Sequence, residues 1–285
     1  MRFRDLNRRD IVRAGGGLAV AAIGRVGFDR GTGAAVASAL DETARGRVGR
    51  YIVVRSRTLA DDHSAAEVFD TIRDGYVPLL RTVPGFVAYL GVADKSSNQT
   101  AFVTVFADKA GTDESTKRAG TWLQDNGYAF FEGDPFIVEG PIGVAAGRFA
   151  DRDGAATPVA RGSTATPVDG SATTPVAGGG LEGDYFVMRS RSLKPDRSGA
   201  ELLEVVQDGF VPLVQSIPGF VAYLVVANDE NRNQFGVTIF ADESGADEST
   251  RRAAGFVAEE VSDFVTGDPV VIEGTIILSV TADGS

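Results

Sequence analysis

Cysteine is absent from these 285 residues, and histidine and tryptophan occur once each, at His63 and Trp122. Without cysteine there are no disulfides, thiolate metal sites, cysteine nucleophiles or lipidated-cysteine anchors. A single histidine excludes zinc sites built on several histidines and a Ser-His-Asp arrangement in more than one place. Long apolar runs are also missing. The best, residues 14–24, is too short to cross a bilayer core, which needs about 20 apolar residues. Positive charge is scarce outside the first 37 residues. That segment carries seven arginines against three aspartates, a net of +4, within a chain of net charge −11, so the remainder carries −15. A body so acidic repels phosphates, which argues against nucleic acid or an anionic membrane surface as partner.

What the chain does contain, it contains twice. Residues 51–140 and 185–274 align without a gap at an offset of 134, and roughly 40 of about 90 paired positions are identical. YIVVRSRTL returns as YFVMRSRSL, PGFVAYL returns unchanged, and FADKAGTDESTKRA returns as FADESGADESTRRA. Such agreement is the mark of a tandem duplication of a domain-sized unit. It places one repeat at 50–146 and the other at 185–281.

The segments outside the repeats suggest an address. Arg8-Arg9-Asp10-Ile11-Val12-Arg13 precedes a Gly/Ala-rich apolar run, and Ala-x-Ala sites follow at Ala35 and Ala37. This resembles a twin-arginine export signal over residues 1–39, with Arg25 and Arg30 as departures from the pattern. The stretch 147–184 is rich in Thr, Pro, Gly and Ser, a composition that cannot bury a core and reads as a disordered linker. The expected location is extracytoplasmic, with no stable membrane anchor.

Within the first repeat, 51–57 reads as a strand. Apolar spacing over 64–83 predicts a helix, with Ser64 and Glu67 as a capping box. Gly75 and Pro78 should bend or break it near Tyr76. Strands are expected over 86–93 and 101–107. A second helix should begin at Thr112-Asp113-Glu114-Ser115, and a last strand should span 136–145 after Asp134-Pro135. The order βαββαβ is that of a ferredoxin-like unit. Both faces of its strands are apolar, so the sheet needs cover on both sides. The expected fold class is α+β: two tandem ferredoxin-like domains packed sheet-to-sheet as an intrachain pseudo-dimer.

The Val77-Pro78-Leu79-Leu80 helix end, Pro84-Gly85-Phe86 before the second strand, and Phe106-Ala107-Asp108 leading to the Ser115 helix resemble the antibiotic-biosynthesis-monooxygenase domains of the dimeric α/β-barrel superfamily. The resemblance covers both repeats, about two thirds of the chain. It implies an intrachain dimeric α/β barrel. It also implies either a ligand-binding module or a cofactor-independent monooxygenase using Asn, Trp, Tyr or His in a pocket between sheet and helices. The haem-degrading branch needs an Asn, a Trp and a ligating His. Here the first strand has no Asn, and the second repeat replaces Trp122 and His63 by Phe256 and Arg197.

Candidate ligand-binding residues follow from what recurs. Arg55 and Arg57, repeated as Arg189 and Arg191, share one strand face and could hold an anionic or enolate-like oxygen. They could equally reach the solvent rim or pair with Asp62 or Asp108. Tyr89 and Tyr223 could hydrogen-bond a quinone or phenol oxygen, or be ordinary core residues. Trp122 is a pocket wall or a packing residue that Phe can replace. His63 reads as a solvated loop residue, and Ser115 has no base beside it to make it a nucleophile. The sequence therefore reads as an exported protein that binds a small apolar or aromatic ligand, or serves as an interaction module, without robust catalysis. No cofactor or metal is called for. The alternative is a cofactor-independent monooxygenase of a phenolic or quinone-like substrate, with Trp122, Tyr89 and Arg55 in the pocket.

Overall fold

Alternating β-branched and aromatic residues set strand β1, Tyr51–Leu59. The computed structural model describes residues 49–94, 97–126, 128–149 and 180–282. The expected export signal, and residues 150–179 of the expected linker, lie outside them. After β1 come helix α1 (Ala65–Thr71), a π-helical turn (Ile72–Tyr76) and α2 (Val77–Arg81). Strands β2 (Phe86–Ala93) and β3 (Gln99–Phe106), helix α3 (Lys109–Asn126) and strand β4 (Phe131–Gly147) follow. The second half repeats this order. It comprises β5 (Tyr185–Leu193), α4 (Gly199–Val205), a π turn (Val206–Phe210), α5 (Val211–Gln215), β6 (Phe220–Asn228), β7 (Asn233–Phe240), α6 (Glu243–Phe256) and β8 (Val265–Thr281).

The eight strands close into one antiparallel barrel in the order β1-β3-β2-β8-β5-β7-β6-β4. The expected face-to-face packing of two sheets thus takes the form of a single closed sheet. Strands β4 and β8, 17 residues each, make the closure. The first part of β4 pairs with β1, and its end, Ile142–Gly147, leaves to pair with β6. Likewise β8 pairs with β5 and then, from Thr275 onward, with β2. In this closed order every strand has a neighbour on each side over part of its length, which limits edge-to-edge association.

The pleat sends side chains alternately to two apolar environments. Ile52, Val54, Leu90 and Val103 meet Phe186, Met188, Leu224 and Val237 inside the barrel. The outer face is covered by the helices. In the first half Phe69, Tyr76, Leu80 and Trp122 pack there with Leu278 and Val280 from β8. In the second half Val206, Phe210 and Val214 pack with Val144 and Ala146 from β4. Each half's helix layer therefore rests partly on the other half's last strand.

Several local expectations are corrected. Gly75 and Pro78 do not break the first helix. The Val77 N–H reaches back five residues to the Ile72 carbonyl, and the helix widens by one residue instead. Ser64 does cap α1, its hydroxyl accepting from Glu67 N at 3.2 Å, but the Glu67 carboxylate lies toward His63 at 3.4 Å rather than completing a capping box. Helix α3 starts at Lys109, where the Asp108 carboxylate accepts from Gly111 N at 2.9 Å, so Asp113-Glu114-Ser115 lies inside it. Asp134-Pro135 falls within β4 because an irregularity in the β1–β4 register, beside Gly133 at φ +66°, lets the strand continue. The linker's far end is tied down as well. Leu181 is buried against the barrel core, its N–H donating to Ser279 Oγ at 3.1 Å.

The crossing strands make a testable demand. Leu278 is 1% exposed and sits under the first half's helices although it belongs to β8. Leu278→Ala should destabilise the whole barrel by about 2–5 kcal/mol in a denaturant titration. A single transition is expected. Two separated transitions would show that the halves fold independently.

Candidate functional site

On β1 the side chains of Tyr51, Val53, Arg55 and Arg57 alternate with Ile52 and Val54, which fill the barrel, so the arginines emerge beneath the helices. Beneath them lies a cavity of about 180 Å³ between the sheet, the π turn and α3. Arg55, Arg57, Tyr89 and Trp122 all line it. A second cavity of about 160 Å³ occupies the equivalent place in the other half, lined by Arg189, Arg191 and Tyr223 with Phe256 where Trp122 would be. Every candidate ligand-binding residue named from the sequence therefore borders one of two cavities. His63 does not. It sits on a loop with its ring edge-on to Phe130, 4.9 Å between centroids, and 3.8 Å from Asp62.

Arg55 forms no ion pair with Asp62 or Asp108, and it stays half-exposed at the open side of the cavity. It donates to Thr116 Oγ1 on α3, and Thr116 in turn donates to the Thr112 carbonyl at 2.8 Å. Arg189 repeats this through Thr250, whose hydroxyl donates to Ala246 O at 2.9 Å, and its Nε is buried without a hydrogen-bond partner. Neither arginine forms an ion pair among the described residues. Burial pushes both guanidinium groups below their ordinary value. Both remain charged, because arginine does not lose its proton at neutral pH. Glu139 and Glu273 act on these cations only from beyond ion-pair distance, so each half-buried guanidinium has room for an anionic partner. The outer pair is held differently. Arg57 lies over the Phe131 ring at 5.4 Å, whereas Arg191 donates to the Gly267 carbonyl at 3.0 Å.

The π turn positions the aromatic wall. It turns Tyr76 inward, where its hydroxyl donates to the Ser115 carbonyl at 3.1 Å. The Tyr76 ring lies 5.6 Å from Trp122 and 5.9 Å from Tyr89. Gly75 is what lets Trp122 approach, because a Cβ there would meet the indole nitrogen at 3.0 Å. At Gly209 a Cβ would meet Phe256 at 2.6 Å. The recurring Gly is thus a requirement of the ring packed on the helix. Sequence reasoning missed Tyr76 as a wall residue and Thr116 as the partner of Arg55. The signal for Thr116 was present: Arg and Thr recur together 61 positions apart in both halves.

Burial pushes the Tyr76 phenol up to about 12 and the Tyr89 and Tyr223 phenols well above their ordinary value. All three are therefore hydrogen-bond donors at neutral pH. Among the described residues no group of three or more His, Asp or Glu could hold a metal ion, and no helix is long and apolar enough to cross a membrane.

No family model matches the sequence, and no curated protein matches it. Solved structures do. A candidate monooxygenase from Fusobacterium nucleatum superposes with a TM-score of 0.53 at 12% identity, covering 84% of this chain and 97% of that one. A candidate monooxygenase from Lactobacillus acidophilus gives 0.52 at 11% identity, covering 82% and 97%. An anthrone oxidase-like protein gives 0.52 at 13% identity, covering 82% and 94%. At such identity the likeness concerns the fold: this chain shares the α+β, dimeric α/β-barrel fold of these proteins.

Raised phenol values carry a consequence for stability. Tyrosines in the unfolded chain ionise near pH 10, and Tyr76 in the folded barrel only near 12. The folded state then holds the proton more tightly, so its contribution is complete below pH 10 and is lost as pH rises through 12. The unfolding free energy should fall over that window, by about 3 kcal/mol for Tyr76 alone. Tyr76→Phe should flatten the fall. An unchanged pH slope in that variant would remove Tyr76 as its source.

Proposed function

We propose that this chain is an exported protein in which two tandem ferredoxin-like units form one barrel and bind small cyclic molecules bearing an anionic oxygen. Each cavity would hold one, with the oxyanion against Arg55 or Arg189 and the apolar body under the helices. The observation that supports this most directly is the half-buried arginine, outside ion-pair distance of any described carboxylate, beside an apolar cavity in both halves. Guanidinium forks onto phenolate, enolate or carboxylate oxygens, and the phenols of Tyr89 and Tyr223 can donate to the same or a second oxygen. The size fits a substituted single ring, since a cavity of about 150 Å³ holds benzene. The exposed Ile137 at the first mouth and Val271 at the second add apolar surface where the ligand would enter.

Trp122, the sole tryptophan, makes the first cavity directly observable. Titration with 4-nitrophenolate should quench its fluorescence saturably. Arg55→Gln should weaken that binding about 10- to 100-fold, the worth of one charge-assisted hydrogen bond. Quenching that is unsaturable, or indifferent to Arg55→Gln, would leave the chain as a scaffold whose partners dock elsewhere.

A second reading is oxygenation in the first cavity. It is favoured by the contiguous Trp122, Tyr76 and Tyr89 rings, where the other half has Phe256 and Phe210 in place of Trp122 and Tyr76, and by the monooxygenase names of proteins with this fold. The reaction would convert a phenol and O₂ to a quinone and water, one oxygen atom entering the ring and the other leaving as water, with no further reductant. Arg55 would hold the substrate as its phenolate. Oxygen uptake with monocyclic phenols should then vanish in Trp122→Phe while the fold is retained. Absence of uptake in the parent protein would decide for binding alone.

A further inference from the structure

The two cavities share their arginine and threonine but not their walls. In the first half the rings form an unbroken series. Trp122, Tyr76, Tyr89, Phe102 and Phe131 follow one another with centroids 5.6 to 6.5 Å apart. Tyr89 and Phe102 lie nearly parallel, at 15°. In the second half the series stops after three rings. Phe256, Phe210 and Tyr223 are in contact, and beyond Tyr223 lies Gly236 where Phe102 would be.

The loss of that ring is a displacement along the strand. Residues Ala101-Phe102 of β3 correspond to Phe235-Gly236 of β7. Because successive strand residues face opposite sides, moving Phe by one position carries its ring from the cavity side to the barrel interior. Phe102 packs in the helix-side cluster, and Phe235 packs inside the barrel. The neighbouring strand adjusts in the opposite sense. Gly91 pairs with Phe102, and Val225 pairs with Gly236. A Cβ at Gly91 would meet the Phe69 ring at 2.5 Å, so the aromatic floor of the first half demands glycine there. In the second half Leu203 replaces Phe69, and Val225 stands in the space. Val265 likewise replaces Phe131, which removes the ring beneath the outer arginine. Leu202, Val206, Val257, Val261 and Val271 line the second cavity beside its three rings.

Resting on the reading that each cavity takes a small oxyanion, we infer that the two have diverged in ligand class: the first takes a planar aromatic acid or phenol, the second a saturated, non-planar carboxylate. Flat π faces at offset or edge-on distances select a flat ring. Branched aliphatic walls around a glycine floor accept a puckered ring or short branched chain, which such faces would hold poorly. The shared arginine fixes the head group, and the walls choose the body.

Benzoate and cyclohexanecarboxylate test this, because they carry the same carboxylate on six-carbon rings that differ in planarity. Calorimetric titration would be run on the full chain, with Arg55→Gln to silence the first cavity and Arg189→Gln to silence the second. Arg189→Gln should retain benzoate and discriminate against cyclohexanecarboxylate by tenfold or more. Arg55→Gln should show the reverse preference. A third variant, Val225→Gly with Gly236→Phe, rebuilds the aromatic floor in the second half, with its thermal midpoint confirming the fold. In the Arg55→Gln background it should switch the remaining site to benzoate. Equal preference at both sites, or no switch in the rebuilt variant, overturns the divergence and leaves oxyanion binding intact. Failure of either acid to bind any variant or the parent overturns both.

Discussion

Everything in this structure depends on the two last strands being long enough to serve both halves. Strand β4 needs its first part to pair with β1 and its end to pair with β6. Strand β8 does the same for β5 and β2. A unit ending at Pro141 would leave the edges of β2 and β4 exposed, each a row of unpaired donors and acceptors. It would also lose Leu278 and Val280 from beneath its helices. Closure is thus not an optional contact between two finished domains. It completes the hydrogen bonding of each sheet and the apolar floor of each helix layer at once.

The barrel then explains how an arginine can be half-buried on its wall. The interior is filled mainly with Val, Leu, Ile, Ala and Phe, and the pleat that sends Ile52 and Val54 into it turns Arg55 and Arg57 toward the helices. There α3 and α6 supply a threonine whose hydroxyl is already committed to a helix carbonyl and whose lone pairs face the guanidinium. That is enough to orient the group and not enough to neutralise it. A carboxylate in the same place would have made a structural ion pair. Its absence in both halves leaves the charge beside an apolar cavity.

The architecture was legible in the sequence because repetition and period-two alternation report on long, regular elements. The offset of 134 established equivalent halves, and apolar residues on both strand faces required a second layer of cover. The candidate residues also converged, since Arg55, Arg57, Tyr89 and Trp122 all border one cavity. What escaped was set by non-local geometry. Pro78 removes a donor, and propensity alone reads that as a break, whereas packing on the sheet holds the helix together through a π turn. Tyr76 looked like one more apolar position because the extra residue in that turn rotates it toward Ser115. The start of α3 was misplaced because Asp108, not the later acidic cluster, accepts from the free N–H of Gly111. The length of β4 and its departure to β6 carry no local signal at all.

Two similar but unlike halves within one chain escape a constraint that a symmetric pair of identical subunits would face. In such a pair every substitution appears on both walls. Here the interior must stay apolar in both halves because its residues interdigitate, and it does: Ile52 becomes Phe186 and Val54 becomes Met188. The two helix-facing cavities touch different residues and can change separately. The ring moved from Phe102 to Phe235 shows how the two demands are coupled. In the second half Phe235 fills the barrel where the first has Ala101, and Val225 with Gly236 stands where the first has Gly91 with Phe102. Packing density forbids an uncompensated change of that size. The wall of the second cavity thus differs together with the packing inside the barrel, while the arginine is held by a helix threonine in both halves.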